Sequence, residues 1–567
     1  LAGIDIPKSD QPFALGDAYR HPGAISDHDV SGPRKRVCVI GAGMAGLTAA
    51  YELECCEHSV LVLEASNRPG GRVRTARFSD GTHAELGAMR IPANHHSTLH
   101  YVERFRLSTQ TFINCNPAAK YRIRGEAIRC RDWEALVGRF DLRQTERRDP
   151  ARLYESLMWG AMAQLSTEDK HEIFGGVFES VQARAFDAQT LWQFLRRWLS
   201  PEAIQYVGHA TGMGWYERAS FLEALVDYFG LFRIDSVQLV DGMDELPTAL
   251  ARHLGDSVRY GAHATHVDLD ATGASVTWRT KGASHTEHFD YVVCALPAPC
   301  AAAIQFSPAL PARQLEALRK ITYASGAKTL LHCKTRPWEY VDGIFGGGSF
   351  TDLPIQQCWY PSDNAQGNSA ERTLAFTGDD PEVAGGNLST APAEWLARDP
   401  EVSHSPAVLT GAYMWEANAR QFAALPEEKR TALVLSDLEQ LHPELPAEVD
   451  EVIHVDWDAE AGGGTYAFYA PGDYQRYYRT LREAFPVEAP RVFFAGEHLA
   501  VSHAWIQGAV QTGWEAARDV AAAEILIQTL RNSCQRTEED GNESRSCAVR
   551  GRRGATRGEP RSGRSGD

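Results

Sequence analysis

Positive charge is in short supply in this chain. Its 567 residues carry 57 Lys and Arg against 74 Asp and Glu, a net charge of −17. Nothing there would offset the repulsion of a phosphate backbone, so nucleic acid is not an expected partner. Long apolar runs are missing as well; none reaches the length needed to span a bilayer, so no membrane partner is expected. The 11 cysteines are scattered, with Cys55 and Cys56 adjacent, and show no metal-type spacing. Their odd number argues against a full disulfide framework. The chain begins at Leu1 rather than Met, compatible with loss of an upstream leader, yet shows no signal peptide. The compartment stays open between cytoplasmic and secreted. What remains is an ordinary globular composition, 43% hydrophobic and 23% charged, in a chain long enough for about two or three subdomains.

The strongest positive signal is Val37-Cys38-Val39-Ile40 running into Gly41-Ala42-Gly43-Met44-Ala45-Gly46. A helix-prone stretch from Leu47 to Glu54 follows, and a second apolar run, Val60 to Leu63, ends on Glu64. This is a complete βαβ dinucleotide-binding unit. Gly41 allows the tight turn, Gly43 lets a pyrophosphate approach the backbone, and Gly46 lets helix and strand pack closely. The helix N-terminus favours the anion, and Glu64 is placed to accept hydrogen bonds from ribose hydroxyls. Beyond it, Arg68-Pro69-Gly70-Gly71-Arg72 suits a second phosphate contact through close backbone N–H groups and guanidinium charge.

Directly after a dinucleotide-binding acid, that arginine–glycine turn resembles the flavin-containing amine oxidase family, whose members bind FAD. Arg491-Val492-Phe493-Phe494-Ala495-Gly496-Glu497-His498 resembles the family's C-terminal FAD segment, in which the glutamate contacts the cofactor. The resemblance runs in blocks through residues 33–528. It implies an α/β fold: a Rossmann-type, glutathione-reductase-like FAD-binding domain, a mixed β-sheet substrate domain and a helical insertion. The expected FAD-binding domain is discontinuous, 33–72, 238–322 and 451–530. The expected substrate domain is 73–130 and 323–450, and the helical domain 131–237, where spacings such as Leu191-Phe194-Leu195-Trp198 are helical. Residues 1–32 read as an irregular arm, 508–527 as a helix packing back on the FAD domain, and 531–567 as a disordered tail. The resemblance sets the cofactor against Gly41, Gly43, Met44, Ala45, Gly46, Glu64, Ala65 and Arg72. It adds Gly87, Ala88, Met89 and Arg90, then Val267, and finally Gly496, Glu497, Trp505 and Ile506.

Glu85-Leu86-Gly87-Ala88-Met89-Arg90 resembles the L-amino acid oxidase subfamily, whose arginine grips the substrate α-carboxylate bidentately. The alternative for Arg90 is a structural ion pair with Glu85. By the same resemblance Tyr413 donates a second hydrogen bond to that carboxylate, and Gly464 offers a backbone carbonyl to the amine. Trp505 forms the aromatic wall opposite the flavin. Lys328, in Ser325-Gly326-Ala327-Lys328, supports oxygen reduction. The implied reaction is oxidative deamination of an L-amino acid to a 2-oxo acid, ammonia and hydrogen peroxide by hydride transfer from Cα to flavin N5. Molecular oxygen is the acceptor, and a homodimer is expected. An L-amino acid 2-monooxygenase, or another FAD amine oxidase lacking the carboxylate clamp, is the competing reading.

One departure stands out. Venom-type members carry a histidine after the Phe-x-Glu-x-Leu segment, whereas Phe221 to Leu225 here leads to Val226-Asp227-Tyr228. The base is therefore unassigned between solvent and a group such as Asp227. Members that prefer glutamate carry basic residues before this segment; Met213-Gly214-Trp215-Tyr216 speaks against an acidic substrate. Trp215, Tyr228, Trp415, Tyr466 and Phe468 could line an apolar pocket, and Asp227, Asp458 and Glu460 could equally receive lysine or arginine.

Overall fold

The computed structural model describes residues 21–27, 33–231, 235–366, 396–460 and 462–523. The expected disordered tail lies outside these residues, as does most of the N-terminal arm. The described piece of the arm, expected to be irregular, carries a 3-10 turn at Ile25–Asp27 and is anchored: Ile25 N–H donates to Glu52 at 3.0 Å, and Trp514 Nε1 donates to the Gly23 carbonyl at 2.9 Å.

A five-stranded parallel sheet carries the nucleotide unit. Its order is Val258–Arg259, Ser59–Leu63, Arg36–Ile40, Tyr291–Cys294 and Val492–Phe494. Four of the five residues in each of the first two strands along the chain are buried, as continuous Val/Leu/Ile runs demand when both faces are covered. The helix Met44–Cys55 starts at Gly43 with no side-chain cap, leaving its first N–H groups open. A Cβ on Gly46 would lie 1.9 Å from the Gly41 carbonyl oxygen, so glycine is what lets helix and strand close together. The C-terminal helix, 506–523, packs back on this unit through Val510, Trp514 and Ala517. There a Cβ on Gly513 would meet the Ala45 carbonyl at 2.2 Å.

A second sheet is mixed and seven-stranded: Val449–Asp456, Gly326–Cys333, Ala407–Trp415, Gln357–Trp359, Gly348–Thr351, Lys120–Ile123 and Glu126–Arg129. Gly348–Thr351 runs parallel to Lys120–Ile123, and the other pairs are antiparallel. Its register sets Lys328 opposite Tyr413, two residues far apart in the chain. Val449–Asp456 pairs with Gly326–Cys333 along its length, so this sheet runs past the 450/451 boundary drawn from the sequence. Strand pairing is non-local, and composition does not change at that point. Likewise Ile91, Tyr101 and Val102, drawn into the substrate segment, pack in the core beneath the nucleotide helix.

Residues 131–231 are helical with short connections. Asp149, Ser166, Ser180, Thr190 and Ser200 each accept a hydrogen bond from a backbone N–H three residues on, capping five helices in succession. Such a cap contributes about 1 kcal/mol. The Leu191 helix ends at Leu195; Leu191, Phe194 and Leu195 are buried, while Trp198 falls beyond the helix and is 46% exposed.

Candidate active site

Two adjoining cavities lie where these layers meet. The larger, about 620 Å³, follows the open end of the nucleotide helix and is lined by Gly41, Gly43, Met44, Ala45, Glu64, Ala65 and Arg72. Gly496 and Glu497 close its far side. The smaller, about 420 Å³, holds Met89 and Arg90. Gly87, Ala88, Tyr413, Tyr466, Trp505 and Ile506 line both.

The larger cavity fits a flavin dinucleotide. Gly41 takes φ +105°, open to glycine, and a Cβ on Gly43 would meet nothing within 4 Å. That open space beside an uncapped helix N-terminus is a cradle for a pyrophosphate. Glu64 is fixed at its strand end by Ala42 N–H and Ser66 N–H, each donating at 2.8 Å. The arginine–glycine turn behaves differently from the sequence expectation. Arg68 spends its donors on the carbonyls of Pro69, Gly71 and Val73, and Arg72 pairs with Glu497 at 2.7 Å. These guanidiniums hold the cavity wall together. Glu497 also accepts from the N–H groups of Ala467 and Ala504. Although burial opposes its charge, Arg72 and nearby histidines hold its carboxyl below the usual range.

Four of the expected site residues lie off both cavity walls. Gly46 sits beneath the turn as packing. Val267 is fully buried inside its strand, and its neighbours Thr265 and His266 face the cofactor cavity instead. Gly464 is a turn residue at φ +150°, with Thr465 and Tyr466 reaching the walls in its place. Lys328 lies one layer behind, 1% exposed, with Nζ donating to the carbonyls of Gly87 at 2.7 Å and Glu85 at 3.2 Å. It also rests 4.4 Å from the Tyr413 ring centre. Burial lowers Lys328 to about 7, and burial raises Glu85 to about 7. Met89 and Arg90, expected on the cofactor, line the smaller cavity only.

Arg90 is not the ion-pair partner of Glu85. The Glu85 carboxylate accepts from Met243 N–H and Thr75 Oγ1, both at 2.9 Å. The Arg90 guanidinium lies over the rings of Trp359 at 4.9 Å and Phe112 at 5.4 Å, with no hydrogen-bond or carboxylate partner among the described residues. Burial lowers its pKa. A half-buried arginine facing a cavity beside Tyr413 has the chemistry to receive an anion.

The wall opposite is aromatic. Tyr228, Trp415 and Tyr466 line the smaller cavity as expected; Phe468 does not, and the Trp215 side chain lies outside the described residues. Residues not anticipated there include Tyr154, Phe350 and Trp359, which no local motif marks. Of the three candidate acids, Asp227 alone reaches this cavity. It accepts from Tyr216 Oη and from Trp505 Nε1 at 2.8 Å, and burial raises it to about 6. Asp458 lines neither cavity, and Glu460, on the cofactor cavity, pairs with Arg74 at 2.9 Å. Behind the wall, Glu223 accepts from His503 Nδ1 at 2.9 Å and Tyr474 Oη at 3.0 Å, bracing the segment that presents Trp505. Among the described residues no group of His, Cys, Asp and Glu could hold a metal, no disulfide is formed, and no helix is long and apolar enough to cross a membrane.

Comparison with known proteins agrees with this geometry. Residues 44–521 match the family described as flavin containing amine oxidoreductase. An L-amino-acid oxidase of Vipera ammodytes ammodytes is 31% identical over 506 residues, covering 86% of this chain and 93% of its own length. One from Bothrops moojeni is 31% identical over 509 residues, covering 86% and 90%. Among solved structures, a putrescine oxidase bound to putrescine superposes with a TM-score of 0.65 at 22% identity, covering 86% of this chain and 99% of its own. A cyclohexylamine oxidase from Brevibacterium oxydans gives 0.63 at 18% identity, with the same coverage. At those identities the two structures speak for the fold. With a family match across most of its length and a dinucleotide cradle in place, the chain belongs to the flavin-containing amine oxidoreductases.

Proposed function

We propose that this protein is an FAD-dependent L-amino acid oxidase, converting an L-amino acid and oxygen to a 2-oxo acid, ammonia and hydrogen peroxide. The observation that carries this reading is Arg90: a half-buried guanidinium without an anionic hydrogen-bond partner among the described residues, facing a cavity that adjoins the dinucleotide cradle. Simple amines offer such a group nothing, whereas an α-carboxylate matches its planar fork. The relatives named as L-amino-acid oxidases support the same reading.

FAD, when bound, supplies the acceptor for the Cα hydride and passes the electrons to oxygen. The chain's part is orientation and electrostatics. Arg90 and Tyr413 hold the carboxylate at one end. Trp505 and Tyr466, shared by both cavities, form the wall that confines Cα at the junction. Lys328 sits behind Gly87, able to carry or release a proton near neutral pH, which suits a role in the oxygen half of the cycle. The imino acid product is hydrolysed by water. A homodimer belongs to the same proposal; sedimentation would return a single mass of two chains.

The test is oxygen uptake by the purified holoenzyme against the twenty L-amino acids and their D-enantiomers. Uptake with L-forms alone, matched by peroxide and a 2-oxo acid, is expected. An amide product would turn the reading to a 2-monooxygenase, and failure of every amino acid to bleach the flavin anaerobically would overturn it.

A further inference from the structure

Asp227 is a carboxylate inside the cavity that also holds Arg90, which acts on it through space but makes no ion pair with it. It is 6% exposed, lies on the helix Phe221–Leu231, and is held by two neutral donors, Tyr216 Oη and Trp505 Nε1. Two other charged groups line this cavity besides Arg90. Arg131 is solvent-exposed, and Asp149 caps its helix by accepting from Arg152 N–H at 2.9 Å. Arg90 and Asp227 make no ion pair with each other, so the cavity presents one cation and one anion at separate places. We propose that Asp227 selects amino acids with a cationic side chain, the class of L-lysine and L-arginine, by receiving that cation within the aromatic cavity.

This rests on the oxidase reading and follows from charge balance. Loss of a hydride from Cα requires a neutral α-amine. An L-lysine or L-arginine in that form carries one anion and one cation several carbons apart. The cavity offers Arg90 to the first and Asp227 to the second. The α-amine is a poorer match, because a single carbon separates it from the carboxylate bound at Arg90. Tyr154, Tyr216 and Tyr228 line the same cavity, and aromatic rings there suit a cation as well as an apolar stem. A neutral side chain would leave the buried carboxylate with only the through-space pull of Arg90, and no direct ion pair.

Matched pairs test the charge: L-arginine against its neutral isostere L-citrulline, and L-lysine against L-norleucine, which lacks the terminal ammonium. In the wild-type holoenzyme kcat/KM should favour the cationic member by at least about 30-fold. In Asp227→Asn the preference should collapse to within a few fold, mostly by loss on the cationic substrate. Equal or better turnover of the neutral members by wild type would overturn the proposal. So would equal losses on both members in Asp227→Asn, which would assign Asp227 to the α-amine or to holding Trp505. Should Asp227→Asn fail to retain flavin, the wild-type ratio decides alone. If no amino acid reduces the flavin, the oxidase reading fails first, a result distinct from good turnover of L-norleucine and poor turnover of L-lysine.

Discussion

The two cavities are built from different materials. The nucleotide end of the cofactor cavity is built on backbone: a glycine turn, an uncapped helix end, and a glutamate pinned by two main-chain N–H groups. The substrate cavity is almost entirely side chain, with Arg90, Asp227, Trp359, Tyr413 and Trp505 arriving from five separate stretches. A backbone site admits one general ligand and is broken by any added side chain. A side-chain site is retuned one residue at a time.

The sharpest break of this comparison is Gly43→Val. The new side chain enters open space, so the fold should persist while flavin is lost altogether. Absorbance of the purified variant checks this; a full flavin spectrum would remove the turn from the cofactor site. Next in size is Arg90→Ala, expected to lower kcat/KM for an amino acid by about 2–5 kcal/mol in transition-state binding. The matching decarboxylated amine should lose far less, and Lys should rescue only in part. Equal losses for amino acid and amine would reassign Arg90 to flavin or fold.

Lys328→Met tests the residue lying behind both cavities. Reoxidation of reduced flavin should slow by about 100-fold, with anaerobic reduction little changed. Stopped-flow traces slowed only in the reductive half would reverse the role. The smallest effect lies outside both cavities, at His332, held between Asp450 and Asp80. Burial alone would lower its pKa, but the hydrogen bonds to the two carboxylates win and raise it. Its stabilisation is therefore fully present below the unfolded histidine value, about 6.5, and is lost as pH rises through the folded value. Solvent screening keeps it below about 1 kcal/mol. The Tm advantage of wild type over His332→Gln should shrink from pH 6 to pH 9, while activity ratios stay level; a constant gap would mean the contact is not ionic.

The dinucleotide unit was legible because each of its requirements is local. Strand, turn, helix, strand and acid follow one another from Val37 to Glu64, and the structure sets them as the spacing implies. The serine, threonine and aspartate caps of the helical layer are local in the same sense. The end of the substrate sheet was not legible, because Val449–Asp456 is committed by pairing with a strand more than a hundred residues earlier. Nor could sequence tell which of Asp227, Asp458 and Glu460 faces the smaller cavity, since that depends on how distant segments pack around each acid.

What the sequence determined by itself is the presence of a dinucleotide cradle and the residue types that an amino acid oxidase needs. Backbone geometry repeats over a few residues, and glycine leaves an unmistakable trace where a side chain cannot fit. Only the tertiary structure decided that Arg90 stands apart from Glu85, that Lys328 lies behind Gly87 opposite Tyr413, and that Val267 turns inward. Which face a residue presents, and which charge it meets there, depends on sheet register and on packing between distant segments. Burial then sets how strongly each of those charges acts.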